Sequence, residues 1–565
     1  MINQLIAEQF DEIADMLEIL GESVFRIRAY RRASDVVESF PQDLAELHSK
    51  DDKAIENIPG IGKDLHSKIV EIIETGKCKM HENLVRKLSP GVLDILRVRS
   101  IGPKKAKLFM EKLGINDLKK LRSAAESGAL ATLPGMGEKS QDAILKALDQ
   151  STFLQTRIPL YQALPEAEQY VEYMKKCKAV ERVEYAGSLR RRQETIGDID
   201  ILATGSDSEM MSKHFLAYPH VKQVLAAGDT KSSVVLKDNI QVDLRVVKNE
   251  SFGAAFYYFT GSKYHNIQFR TLAQKRGLKN NEYGVFKREK MIAGATEEEI
   301  FNSLGMEYIP PEIREDQGEI EAARNGKLPK LIEENDIKGD LHTHSKWSDG
   351  AFTIYEMAFE AARLGREYIA VSDHMRDPKE IKKQWKEIEK IQKQLNEEGI
   401  KIKILKGAEI DILKTGELNL PDEIIEKLDV PVISIHTSFN LSKKEQTDRI
   451  LRAFAHPNVK IFGHPFCRML GKRDNIEMDF EKILRAAKEK RIALEINSQP
   501  QRMDLNGTHA KMCKDFSVKV VINTDSHTTE QLSNMKFGLF MARRGWIEKG
   551  DTLNCLSYSK LMEYL

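Results

Sequence analysis

Hydrophobic and polar positions change their period twice along the chain, and each change predicts a different architecture. Over roughly the first 150 residues, apolar positions recur at helical spacing in short stretches broken by Gly and Pro, which predicts small amphipathic helices. From about residue 180 the texture turns to short β-branched runs at 181–188, 198–204, 232–237 and 240–247, which read as strands. Residues 250–310 mix an aromatic run, Phe256 to Phe259, with a second strand-turn region. Residues 312–335 are polar and helix-prone and read as a linker. Beyond Ile337, apolar runs at 367–374, 402–411, 431–436, 459–465, 491–497 and 518–527 alternate with helical stretches such as 379–398 and 479–491. That alternation predicts parallel strands in a barrel or a doubly wound sheet.

Composition narrows the class. The chain has 565 residues, enough for about four domains. Hydrophobic residues make up 41 % and charged residues 31 %, with a mean hydropathy of −0.43, a balance that fits globular domains. No apolar run approaches the ~18 residues of a membrane span, and the first residues carry acids rather than a basic start and an apolar core, so no secretory signal is expected. Five scattered cysteines with no CxxC pair argue against disulfides and zinc–thiolate sites, and a reducing cytoplasm is the expected compartment. Net charge is only +1, so any nucleic-acid contact must come from local patches and backbone amides.

A small pattern recurs three times in the first third: Ile58 to Gly62, Val98 to Gly102 and Leu133 to Gly137, each followed by an amphipathic helix. Gly60, Gly62, Gly102, Gly135 and Gly137 let a phosphate approach the backbone, and the amides of the following helix then face the anion. The middle copy departs by having Ser100 where the others have Gly60 and Gly135. The pattern resembles the helix-hairpin-helix motif, which implies grip on the DNA backbone without sequence readout.

In the middle third, Asp198 and Asp200 stand two apart on a predicted strand and share a face. Asp243 lies on another predicted strand that can pair alongside. Three clustered carboxylates repel unless cations bridge them, and hard oxygen ligands suit two Mg²⁺ or Mn²⁺ ions. Gly187, Ser188 and Arg191 supply a close-approach glycine, a hydroxyl and a guanidinium for a polyphosphate. With Tyr258-Phe259-Thr260-Gly261-Ser262 downstream, residues 1–315 resemble the family X DNA polymerases. The resemblance implies that Asp198, Asp200 and Asp243 are the two-metal catalytic aspartates. It implies that Arg157, Gly187, Ser188, Arg191 and Gly197 surround the incoming triphosphate, and that Tyr258 and Phe259, with Gly261 and Ser262, lie at the sugar. Asn266 and Arg270 would line the nascent base pair. Arg26, Tyr30 and Lys68 resemble a 5′-phosphate-binding segment in which a lysine forms a Schiff base with a deoxyribose-phosphate. Lys68 stands at the nucleophile position, but Asp64 replaces a supporting lysine and Ile27 an aromatic, so phosphate binding is the expected role.

In the last third, strand after strand ends in a ligand-type side chain: His342 and His344, with Asp349 following in SDG, then His374, Glu409, His436, His464, Asp525 and His527. In a parallel barrel those ends converge on one mouth. Imidazoles and carboxylates without thiolates suit Zn²⁺, Mn²⁺ or Fe²⁺, and nine ligands exceed what two ions need, which predicts three. The set resembles the PHP (polymerase and histidinol phosphatase) domain. By that resemblance His342, His344, Glu409 and Asp525 hold one ion. Glu409, His436 and His464 hold a second, and Asp349, His374 and His527 the third. Arg468 is a candidate phosphate contact, and His456 and His509 read as surface or loop residues.

The implied layout is a helical lyase-like domain at 1–88, helix-hairpin-helix fingers at 89–151, an α+β nucleotidyltransferase palm at 152–250 and a thumb at 251–315. A linker at 316–335 and a distorted (β/α)7 barrel at 336–565 complete it. The function this implies is a repair polymerase that fills short gaps, using gapped or primer-template DNA and dNTPs. The barrel would add a 3′–5′ exonuclease, 3′-phosphatase or abasic endonuclease. A cytoplasmic, nucleoid-associated monomer without membrane contact is expected. The competing expectations are a DNA-end scaffold with an inactive barrel, and a barrel that acts on small phosphomonoesters.

Overall fold

The computed structural model describes residues 2–39, 44–50, 52–56, 58, 60–96, 98, 101–149 and 157–565. The chain forms two compact units, Met1–Thr156 and Arg157–Leu565.

The first unit is helical, and its helices bury one face each. In Ile2–Leu20 the apolar positions Ile6, Phe10, Ile13 and Leu17 recur at helical spacing and are buried with Ile69, Ile72 and Phe109 in one core. The three repeats fold alike. A tight turn closes on Ile61 N–H to the Ile58 carbonyl (2.9 Å), Ile101 to Val98 (3.1 Å) and Met136 to Leu133 (3.0 Å). Each turn feeds a helix: Lys63–Thr75, Pro103–Leu113 and Glu138–Asp149. Gly60 and Gly135 carry φ of +103° and +74°, the left-handed region that a side chain would strain. Gly62 and Gly102 stand at the N-caps of the first two of these helices, in extended backbone. Ser100 lies outside the described residues.

The second unit begins with a five-stranded mixed sheet. Its order is Val180–Tyr185, Ile199–Gly205, Gln241–Val246, Lys231–Leu236, Val221–Ala226. Along Gln241–Val246 the side chains alternate, with Val242, Leu244 and Val246 in the core and Gln241, Asp243 and Arg245 on the other face. The parallel partner strand sets Asp200 directly beside Asp243. A three-stranded antiparallel sheet over residues 278–293 follows the helices Phe252–Thr260 and Lys263–Lys275.

Residues 316–335, expected as a linker, are instead part of this region. Ala323 and Leu331 are buried with Phe301, Leu304 and Met306. Glu319 is fully buried on His265 Nδ1 at 2.7 Å and accepts the Asp316 and Gln317 amides. Polar residues made the segment look like a spacer because its apolar positions are sparse, but each of them is used.

Glu297 ties the palm to this region. It accepts from Arg314 (2.6 Å) and Arg190 (2.9 Å), and Tyr308 donates to it at 3.2 Å. Burial opposes the Glu297 charge, but Arg314 and Arg190 outweigh it and hold the pKa at about 2. A depressed carboxylate stabilises the fold above its unfolded value near 4.5 and loses that contribution as pH falls toward 2. The shift corresponds to about 3 kcal/mol. Glu297→Gln is therefore expected to flatten the acid limb of stability between about pH 4.5 and 2, and at neutral pH to cost about 3 kcal/mol or more by stranding two buried arginines. Urea unfolding as a function of pH measures both effects.

The C-terminal half is a barrel of seven parallel strands in sequential order: Gly339–Thr343, Tyr368–Val371, Lys403–Asp411, Val430–Ser434, Ile461–Phe462, Ala493–Asn497 and Val520–Asn523. A parallel bridge from Thr343 to Ser526 brings the last strand back to the first. The predicted helices appear as Pro378–Glu397 and Phe480–Lys490, started by the N-caps Asp377 and Asp479. The barrel joins the palm and thumb through three arginines. Arg468 bonds Glu194, Arg543 bonds Glu312 (2.8 Å) and Arg544 bonds Glu315 (3.0 Å).

Candidate active sites

At the C-terminal mouth of the barrel, one carboxylate organises the site. Glu409, on the third barrel strand, lies 3.0 Å from His342, 3.4 Å from His344, 3.1 Å from His374, 3.2 Å from His436 and 2.9 Å from His464. Asp525 reaches His344 at 3.1 Å, and His527 reaches Asp349 at 3.2 Å. Three groups bring their ligand atoms within 4.8 Å of one another: His342, His344, Glu409 and Asp525; His344, Asp349 and His374; and His374, Glu409 and His436. The first coincides with an expected set. In the other two, imidazoles are shared differently from the expectation, because converging strand ends let His344 and His374 each reach two groups. The floor is buried, whereas Asp349, His374, His436 and His527 are partly exposed. Beside them opens a cavity of about 240 Å³, lined by Met375, Arg376, Asp411 and Asn419 among others.

The donor set fits divalent cations. Among the described residues, buried His344 Nδ1 and His464 Nδ1 have no hydrogen-bond partner, and His342 Nε2 has none despite its nearness to Glu409. Burial would depress the His344 imidazole, yet Asp525 and Glu409 raise its pKa to about 9; Asp411 and Glu409 do the same for His436. Glu409 itself is held well below the usual carboxylate range, burial being outweighed by His342 and its neighbours. So dense a negative charge around imidazoles is the environment that retains metal ions.

A second layer was not read from the sequence. Glu495 bonds His342 Nδ1 at 2.8 Å, Asp411 bonds His436 Nδ1 at 2.7 Å, and Asp340 accepts the Thr524 hydroxyl at 2.5 Å. The Glu495 and Asp411 partners fix which ring nitrogen faces a metal, whereas Asp340 ties the first strand to Thr524 after the last. Asp340 and Asp411 each stand two residues from a ligand. Arg468 is not available to a phosphate: its guanidinium is spent on the Arg502 and Met503 carbonyls and on Glu194. His509 is no surface residue. Its ring stacks on Phe466 at 4.0 Å and meets Phe480 edge-on. His456 is tied locally to the Asn458 amide and Asp422.

On the palm, Asp200 and Asp243 are strand neighbours, with Asp198 just ahead of the first strand. Desolvation, then the charges of Asp198 and Asp243, raise the Asp200 pKa to about 7. Three ionised carboxylates are thus incompatible here without a countercharge, which fits hard divalent cations. The aspartates are not among the groups gathered within 4.8 Å. Gly187 has φ +65°, and a Cβ there would stand 2.5 Å from Asp200 Oδ2, so only glycine admits this approach. Arg191 bonds Glu315 (3.0 Å) and the Thr260 carbonyl, beside Gly261. Ser188 sits in the one-turn helix Gly187–Arg190, and a Cβ at Gly197 would meet open space. Tyr258 and Phe259 meet edge to face at 5.3 Å, and Asn266 donates to the Tyr258 carbonyl at 2.7 Å. Ser262 caps the next helix, and Arg270 Nε is buried without a partner. Arg157 is held on Thr195, at 2.8 and 2.6 Å.

Residues 255–315 match the DNA polymerase beta thumb, 340–499 the PHP domain, 1–78 a helix-hairpin-helix domain and 92–150 a SAM-like helix-hairpin-helix tandem. The chain is 36 % identical over 573 residues to the DNA polymerase/3'-5' exonuclease PolX of Bacillus subtilis, covering 99 % of this chain and 98 % of that one. The chain belongs to the PHP-bearing family X DNA polymerases. The barrel alone has relatives: a protein of Thermoanaerobacter sp. named "Probable phosphatase" is 31 % identical over 40 % of this chain and 93 % of its own length. One from Clostridium acetobutylicum with the same description is 28 % identical over 34 % of this chain and 81 % of its own.

In the N-terminal unit, Lys68 lies on the helix Lys63–Thr75. Its ammonium bonds Asp64 Oδ1 at 2.5 Å. Burial opposes the charge, but Asp64 and Tyr30 raise the lysine pKa above its usual value. Tyr30 is buried edge-on against Phe10, its hydroxyl on Met80 Sδ at 2.9 Å, whereas Arg26 is exposed beside Glu22. No described helix is long and apolar enough to cross a membrane.

Proposed function

We infer that this protein is a DNA-directed DNA polymerase that fills short gaps in repair and that its barrel hydrolyses phosphoesters at DNA 3′ ends. The observation that carries the reading is similarity over both full lengths to a polymerase/exonuclease, joined to two separate polar centres on one chain. Asp198, Asp200 and Asp243 would hold two Mg²⁺ or Mn²⁺ ions. The nine barrel ligands would hold Zn²⁺, Mn²⁺ or Fe²⁺. Bound divalent cations supply Lewis acidity and a nucleophile that forms at neutral pH. The protein's share is positioning. Gly187 brings the backbone to the carboxylates, Arg191 offers a guanidinium to the triphosphate, and the Tyr258–Phe259 pair lies at the sugar. Asn266 and Arg270 face the nascent pair. The hairpin turns and the helix starts that follow them hold DNA backbone phosphates. A Schiff base needs a neutral amine, and the Lys68 ammonium paired with Asp64 favours a 5′-phosphate contact instead. The protein acts as a monomer on chromosomal DNA in the cytoplasm.

The barrel cavity of about 240 Å³ opens directly on His374, Glu409 and His436, where a terminal phosphoester would meet the ligand cluster. The relative named as a polymerase/3'-5' exonuclease favours a strand end. The relatives named as phosphatases support a second reading, in which the barrel removes terminal phosphates. Rates on a primer 3′ terminus, a 3′-phosphate end and a free sugar phosphate separate them. The exonuclease reading expects release of nucleotides from the primer at a rate at least about tenfold above that on the sugar phosphate, the preference worth ~1.4 kcal/mol. The reverse order overturns it.

A further inference from the structure

One carboxylate joins a barrel helix near the C-terminus to the palm. Glu315 Oε1 accepts from Arg191 Nε at 3.0 Å, from Gln193 Nε2 at 2.7 Å and from Arg544 Nη1 at 3.0 Å. Arg544 Nη1 also donates to the Arg191 carbonyl at 2.8 Å. Arg544 closes the barrel helix Met535–Arg544, whereas Arg191 directly follows the one-turn helix that carries Gly187 and Ser188. The three charged side chains are only 13, 17 and 11 % exposed, so their pairing is little screened. Arg191 Nη1 is held by the Thr260 carbonyl, which leaves Nη2 as the guanidinium nitrogen without a protein hydrogen bond among the described residues.

We propose that Arg544 of the barrel is a positioning residue for the nucleotide-binding arginine of the palm, so that the barrel sets the affinity of the polymerase centre for dNTP. The inference rests on the reading of Arg191 given above. Glu315 stands between two guanidinium groups. With Arg544 present its charge is shared, and Arg191 keeps a free edge for the triphosphate. Without Arg544 the carboxylate has one arginine as its ion-pair partner, and it competes with the incoming phosphate for it. The backbone of Arg191 also loses its anchor. Both losses act on binding before chemistry, so they raise KM more than they lower kcat.

Single-nucleotide insertion on gapped DNA by the full chain tests this. Arg544→Ala should raise the KM for dNTP about tenfold, as expected when one partner of a buried charge network is removed, with kcat lowered less than about threefold. Exonuclease activity on single strands should stay within about twofold, since Arg544 touches none of the barrel ligands. Arg543→Ala breaks the neighbouring arginine bridge to Glu312 and should leave the dNTP KM unchanged, which a merely structural role for Arg544 would not predict. Arg544→Lys keeps the charge without the fork and should give an intermediate KM; it decides the matter if the alanine variant does not fold. An unchanged KM in Arg544→Ala and Arg544→Lys, or equal changes in Arg543→Ala and Arg544→Ala, overturns the proposal. Arg191→Ala separates the two layers. If it leaves KM unchanged, the nucleotide-site reading itself fails, whereas a raised KM there with none in the Arg544 variants sinks the coupling alone.

Discussion

Asp198→Ala combined with Asp200→Ala is expected to lower nucleotide insertion on gapped DNA by on the order of 10⁴-fold while 3′-end hydrolysis stays within about twofold. The size follows from what the pair does. Asp200 shares its strand pairing with Asp243 and feels Asp198 strongly enough to be pushed to a pKa of about 7. Removing two of three carboxylates removes most of the charge that would hold cations at the palm. Metal-assisted displacement is worth several kcal/mol of barrier, and about 1.4 kcal/mol is a factor of ten. The barrel ligands lie on other strands and should not notice. Extension unchanged in the double variant would remove these aspartates from the reaction.

The mirror-image result is expected from Glu409→Gln. The amide fills the same volume but lacks the charge that five histidines within 3.4 Å approach. Hydrolysis of primer termini should fall by on the order of 10³-fold or more. Elemental analysis should show loss of barrel-bound transition metal, and gap filling should persist. Thermal unfolding of metal-free samples distinguishes this from collapse: the folded variant keeps a single cooperative transition. Full hydrolysis with full metal content would show that Glu409 is not the centre of the site.

Much of the barrel was legible because strand ends are marked in the sequence. An apolar run closing in His, Glu or Asp identifies both a strand and the mouth it points to; seven of the nine side chains gather in the three groups, and His464 and His527 reach Glu409 and Asp349 beside them. What sequence spacing does not carry is who meets whom across strands. His374 was expected in one metal group and touches two, and Glu495 and Asp411 went unnoticed because their ring-nitrogen partners lie on other strands. Arg468 follows His464 closely enough to suggest a phosphate contact, yet it turns to the palm and bonds Glu194. The expected linker misled for a related reason: Glu319 and Arg314 look solvated in one dimension and are buried as partners in three. The hairpins were plain, since Gly60 and Gly135 mark positive φ directly.

That two cation-holding centres lie on one chain is tested most directly by anomalous diffraction from crystals grown with Mn²⁺ and gapped DNA. The expected maps carry peaks among Asp198, Asp200 and Asp243 and a separate cluster of peaks around Glu409. Peaks at the barrel alone, with the palm aspartates holding no ion in the presence of DNA and nucleotide, would contradict it.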